Sequence, residues 1–149
     1  MAAKRLRVFI DTSALVAGIV SATGAAREVL RLCEAGVVEV FITRQVLVEA
    51  DRTFSAKLPG LVSAYRDLIR RLEPIMLDDP SEKEIARAER LIPSKDAQIL
   101  AAAISSEVDF LITWDIKHFH QPSVVKAVRF RVVTPGEFLE AFRRSLPES

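Results

Sequence analysis

Asp11, Glu49, Asp96 and Asp115 are the residues of this chain whose types and placement could do chemistry. Asp11 ends the apolar run Leu6-Arg7-Val8-Phe9-Ile10, and Asp115 follows Phe110-Leu111-Ile112-Thr113. Both therefore sit at the C-terminal ends of candidate strands, where open α/β sheets place their ligands. Asp96 opens an alanine-rich helical pattern, and Glu49 lies inside an amphipathic one. Carboxylates brought together repel one another, and drying raises the cost. A hard divalent cation between them removes it, and oxygen-rich sites of this kind prefer Mg²⁺ or Mn²⁺.

Each acid also has a simpler reading. Asp11 can cap a helix by accepting the N–H of Ser13 or Ala14. Asp96 suits the positive end of its helix dipole. Glu49 can be a solvated side chain paired with Arg52 or Thr53. Asp115 can start a turn or a short helix. Their joint placement, more than any one of them, carries the argument.

The elements that must position them alternate along the chain. Residues 6–10, 37–42, 109–113 and 129–133 read as strands, with 74–77 a weaker one. Helices are expected after Asp11, over 25–35, after Thr43, over 61–72, from the Ser81-Glu82-Lys83-Glu84 capping box to about residue 91, and after Ser94 as its cap. The helix after Ser94 shows a face of Ile99, Leu100, Ala103 and Ile104. Thr134-Pro135-Gly136-Glu137 opens the last helix with another capping box and proline at its first position. Alternation of this kind implies a mainly parallel sheet covered by helices on both faces, in a single domain spanning 1–149.

Composition excludes several classes. The chain has 149 residues, 50% hydrophobic and 28% charged, with a net charge of +1, so any nucleic-acid partner must be held by a local basic patch. Cys33 is the only cysteine, which rules out an internal disulfide and suits a reducing, cytoplasmic setting. It reads as a small buried hydrophobe. No apolar run approaches the ~20 residues of a membrane span, and the basic N-terminus does not read as a signal peptide. His118 and His120 lie two apart, without nearby cysteine, and are poor zinc ligands. There is no G-x-S-x-G and no glycine-rich phosphate loop. An aspartyl-phosphate enzyme would want a second acid where Ser13 stands.

The strings Val8-Phe9-Ile10-Asp11-Thr12-Ser13-Ala14-Leu15, Lys95-Asp96-Ala97-Gln98-Ile99-Leu100-Ala101-Ala102-Ala103 and Leu111-Ile112-Thr113-Trp114-Asp115-Ile116-Lys117-His118-Phe119, with Glu49 between the first two, resemble a PIN domain from about residue 5 to 139. The order and spacing are similar to small stand-alone PIN proteins, including the VapC-type toxins of toxin–antitoxin pairs. The resemblance implies a three-layer α/β/α sandwich and a metal-dependent endoribonuclease using one or two Mg²⁺ or Mn²⁺ ions. Asp11, Glu49, Asp96 and Asp115 would then form the acidic pocket, with Asp11 and Asp96 the main ligands. Thr12, Ser13 and Thr113 would support it from behind. The fourth acid varies among such proteins, so Asp115 would tune the site. Trp114 would pack rather than border the substrate groove. The resemblance also implies an antitoxin whose tail covers the pocket, and a homodimer.

RNA would be held by Arg44, Arg52, Lys95, Lys117 and His118 near the pocket. The Arg66-Arg70-Arg71 and Arg143-Arg144 clusters read as solvated helix faces. A face of Leu61, Val62, Tyr65, Leu68 and Ile69 could serve a dimer or simply the core. The competing function is a non-catalytic RNA- or protein-binding module on the same fold.

Overall fold

The structure, a computed structural model, describes residues 5–146. Five short strands form one parallel sheet: β1 (Arg7–Ile10), β2 (Glu39–Thr43), β3 (Ile75–Leu77), β4 (Phe110–Ile112) and β5 (Arg131–Val133), in the order β3-β2-β1-β4-β5. Val8, Phe9 and Ile10 are all buried, as a strand covered on both faces requires. Phe9 pairs with Phe41 on one side and Leu111 on the other.

Eight helices and one 3₁₀ turn connect the strands of the described chain, and a ninth helix follows the last strand. Helices α1 (Thr12–Val20) and α2 (Ala25–Glu34) lie between β1 and β2. Helix α3 (Arg44–Lys57), the turn Pro59–Leu61 and α4 (Val62–Leu72) lie between β2 and β3. Helices α5 (Glu82–Glu89) and α6 (Ser94–Ser106) cross from one edge of the sheet to β4. Two short helices, α7 (Ile116–Phe119) and α8 (Pro122–Ala127), precede β5, and α9 (Pro135–Ser145) follows it. Right-handed crossovers put α1 to α4 on one face and α5 to α8 on the other. Helix α9 returns to pack on α2. The strand order reverses between β1 and β4, so the crevice at their C-terminal ends is the topological switch point. Asp11 and Asp115 stand there.

The expected caps form at Thr43, Ser81 and Thr134, the last two as complete capping boxes. Three local expectations are corrected. Pro93, not Ser94, caps α6, because its fixed φ of −54° with ψ of 146° already turns the chain into the helix. The buried face of α6 is a broad band including Ala97, Ala101 and Ala102, because small side chains let neighbours approach on several sides. Ile104, in the last turn, lies outside that band and is exposed. Trp114 is not packed: half of it is open to solvent, since the chain has just left the sheet there.

The face around Leu61 turns inward. Tyr65 and Leu68 are buried, and Leu61, Val62 and Ile69 pack against the core. Tyr65 stacks on Phe54 with ring centroids 4.9 Å apart. Arg66, Arg70, Arg71 and Arg144 sit on solvated faces in exposed ion pairs, which contribute little each. No single described helix is long and apolar enough to cross a membrane.

Cys33 is buried among Val29 and Leu30 on α2, and burial pushes its thiol up to about 12. The thiolate is the reactive form. Iodoacetamide at neutral pH is therefore expected to leave folded protein unmodified and to alkylate Cys33 only after denaturation, read by intact mass. Labelling of native protein at the rate of a free thiol would contradict this burial.

Candidate metal centre

Asp11 arrives at the crevice because β1 ends where α1 begins, and it is both the strand's exit and the helix's N-cap. Its Oδ1 accepts hydrogen bonds from Ser13 Oγ (2.7 Å) and Ala14 N (3.1 Å), and its Oδ2 accepts one from Thr113 Oγ1. Thr113 Oγ1 in turn accepts from the Asp115 backbone N–H (2.9 Å), and Ser13 Oγ accepts from Trp114 N–H (3.0 Å). The exits of β1 and β4 are thus stitched together by two hydroxyls. Asp11 is buried, which raises its pKa; these bonds oppose the shift and the charge of Asp115 adds to it.

Glu49 belongs to the same constellation through α3. Its Oε2 accepts from Thr12 Oγ1 (2.9 Å) and its Oε1 from Gln45 Nε2 (2.9 Å). The expected pairing with Arg52 or Thr53 does not form at the carboxylate: the Thr53 hydroxyl donates to the Glu49 carbonyl instead. Packing of α3 against α1 turns the side chain toward Thr12.

Asp96, Asp115 and His118 form the tightest group, each offering one ligand atom within 4.8 Å of the other two. His118 Nδ1 lies 3.0 Å from Asp115 Oδ2 and 3.3 Å from Asp96 Oδ2. An ionised carboxylate can only accept, so a protonated Nδ1 donates to Asp115, the nearer of the two. Asp96 Oδ2 is left buried without a hydrogen-bond partner. Burial raises the pKa of Asp96, the charges of Asp115 and Glu49 add to the shift, and those of His118 and Lys95 oppose it. An orphaned buried oxygen between repelling acids is costly as it stands. The carboxylate oxygens of Asp96 and Asp115 fit a hard divalent cation, which would satisfy that oxygen and reverse the repulsion.

The sequence offers His118 as an RNA contact and a poor zinc ligand. The structure half-buries its ring against two of the four acids, Asp96 and Asp115. The signal was present as Asp115-x-x-His118, a spacing that brings two side chains together on one helical turn. Among the other basic candidates, Lys95 stands beside Asp96, and exposed Arg44 and Arg52 line a cleft of about 420 Å³ with Glu49 and Gln98. Lys117 is exposed on α7.

The sequence profile described as "PIN domain" matches residues 7–117. A comparison with curated proteins finds no match. Solved structures with a similar fold include PAE2754 from Pyrobaculum aerophilum, at 19% identity and TM-score 0.62, covering 95% of this chain and 99% of that one. VapBC2 from Rickettsia felis, bound to a DNA fragment from their promoter, is similar at 19% identity and TM-score 0.65 over 86% of this chain and 98% of that one. FitAcB from Neisseria gonorrhoeae is similar at 14% identity and TM-score 0.60, with 87% and 98% covered. At such identities the likeness concerns the fold, and the five-stranded parallel sheet between helical layers is the feature shared. The sequence profile spans the strand exits and all four acids: this chain belongs to the PIN domain family.

Proposed function

We propose that this protein is a Mg²⁺- or Mn²⁺-dependent endoribonuclease and the toxin half of a toxin–antitoxin pair. The observation that carries the reading is the orphaned Oδ2 of Asp96, buried within ligand distance of Asp115 and His118. A pure binding module has no use for that cost, and clustered acids would repel the phosphates of RNA. PIN domains are generally nucleases, which agrees with it.

Asp96 and Asp115 would hold the ion, with Asp11 and Glu49 completing the acidic wall directly or through water. Such an ion, when bound, lowers the pKa of a water and neutralises charge on the scissile phosphate. Thr113 and Ser13 keep Asp11 aimed, and Thr12 and Gln45 do the same for Glu49. His118, with Nδ1 at hydrogen-bond distance from Asp115 Oδ2, would steady that carboxylate's orientation. Arg44, Arg52, Lys95 and Lys117 supply local positive charge for RNA, which the net charge of +1 does not. RNA targets of this kind are single-stranded or looped, where bases can splay out. The family resemblance supports a homodimer, a cytoplasmic setting and an antitoxin that covers the pocket.

Wild-type protein is expected to cut unstructured RNA with Mn²⁺ and to stop in EDTA. Calorimetry showing no divalent-ion binding would sink the reading and favour the binding module. Thermal shift against pH adds a second test. Asp11 and Asp96 are raised in the fold above the ordinary 3.8, so their contribution to metal-free stability is present below that value and lost as pH rises through their folded pKa values. Metal binding needs them ionised, so the Mn²⁺-induced rise in Tm should be small at acid pH and grow as pH rises through those raised pKa values. The difference with and without Mn²⁺ is the quantity to read. Glu84 and Glu137 act the other way, held below the usual range by hydrogen bonds from the backbones of Ser81 and Thr134.

A further inference from the structure

A second cleft adjoins the first. It holds about 680 Å³ between α3 and α4, and its floor is Leu47, Val48, Tyr65 and Ile69. Four arginines rim it: Arg44 and Arg52 from α3, Arg66 and Arg70 from α4. Arg44, Val48 and Arg52, one stripe of α3 at four-residue spacing, also line the smaller cleft that carries Glu49, Asp79 and Gln98, so the two clefts meet along that edge of α3, beside one of the site's acids. Asp51 is the only acid on the larger wall, and Arg66 lies 3.3 Å from it. Arg44 and Arg52 are exposed and make no ion pair among the described residues.

The spacing suits a polymer more than a small ligand. Arg44 and Arg52 are two helical turns apart, about 12 Å, and Arg66 and Arg70 about 6 Å. Guanidinium forks match phosphate oxygens in pairs of hydrogen bonds, and their planes stack on bases. Charge is repeated along both walls while the floor is apolar, which fits a chain carrying one anion per unit and a flat face between.

We propose that this groove is the path of the single-stranded RNA flanking the cut, with Arg44, Arg52, Arg66 and Arg70 holding its phosphates. The proposal deepens the ribonuclease reading and rests on it for its substrate class. It also reassigns Arg66 and Arg70, which the sequence presents only as a solvated face.

The test is binding, which needs no hydrolysis. A fluorescent uridine-rich oligoribonucleotide is titrated with protein in EDTA at several salt concentrations, for wild type and for R66A/R70A. The variant should bind about tenfold more weakly at low salt, and the slope of log K against log salt should fall by about 1.4, the release expected for two phosphate contacts on a single strand. R66K/R70K keeps both charges and should recover the slope. An unchanged slope in R66A/R70A overturns the assignment, as does a wild type that binds no RNA. Displacement of RNA by poly-glutamate as readily as by unlabelled RNA overturns it in favour of an acidic protein segment. A wild type that cuts RNA while the variant's slope is unchanged removes the groove alone. Binding that depends on these arginines, without Mn²⁺-dependent cutting, removes the ribonuclease reading and leaves the groove an RNA surface.

Discussion

Asp96→Asn is expected to lower Mn²⁺-dependent RNA cleavage by about 10³-fold and to abolish the Mn²⁺-induced rise in Tm. The first figure follows from several kcal/mol of charge stabilisation by a bound ion, at about 1.4 kcal/mol per decade of rate. The second follows from geometry: Oδ2 is the one buried carboxylate oxygen of the site with no donor, and the amide that replaces it binds cations poorly. Without metal the same variant should melt higher than wild type, because a carboxylate raised by burial and by Asp115 has been neutralised. Gain in metal-free stability together with loss of metal response distinguishes a ligand from a structural residue. A variant that cuts RNA at the wild-type rate would remove Asp96 from the mechanism. Asp11 is a less clean probe. Its side chain is also the N-cap of α1, so Asp11→Ala costs about 1 kcal/mol of stability besides any ligand.

Phe54→Ala should be the most damaging single truncation near the groove. The ring is fully buried on α3 and stacks on Tyr65 of α4, so removing it loses the transfer free energy of the ring and leaves a cavity. The expected cost is about 3–5 kcal/mol, or roughly 10 °C in Tm for a chain of this size. The same ring fixes α4 against α3, and with it the distance between the two arginine walls. RNA affinity should therefore fall in Phe54→Ala under conditions where the protein is still folded. Phe54→Leu, which refills most of the space, should recover both. A loss below about 1 kcal/mol would mean that the two helices are held by something other than this contact.

Parts of the site were legible in the order of residues because they depend on local chemistry. An apolar run followed by Asp-Thr-Ser marks a strand that exits into a capped helix, and that placed Asp11. The alanine-rich segment after Pro93 marked a closely packed helix, and that placed Asp96 in its first turn. Parallel topology followed from alternation alone. Other parts were not legible, because they depend on which surfaces meet. Nothing beside Glu49 in the chain predicts that Thr12, thirty-seven positions away, orients its carboxylate. Ile104 and Trp114 are apolar types left exposed by where α6 ends and β4 leaves the sheet, which no residue scale records.

By itself the sequence determined the α/β alternation, the helix caps other than that of α6, and the four acids as candidates. It did so because each is a matter of side-chain type and short spacing. Tertiary structure alone decided how those acids divide. Asp11 is hydrogen-bonded by Ser13, Ala14 and, across the β1–β4 crevice, Thr113; Glu49 is drawn to Thr12 by the packing of α3 on α1, and Asp96 is left with one buried oxygen unmet. It also decided that His118 faces the acids and that arginines distant in the chain rim one groove. The physical reason is the same in each case. Desolvation and unpaired hydrogen-bonding capacity are properties of the space between elements, and that space exists only once the sheet has brought β1 and β4 together and α3 has closed on α4.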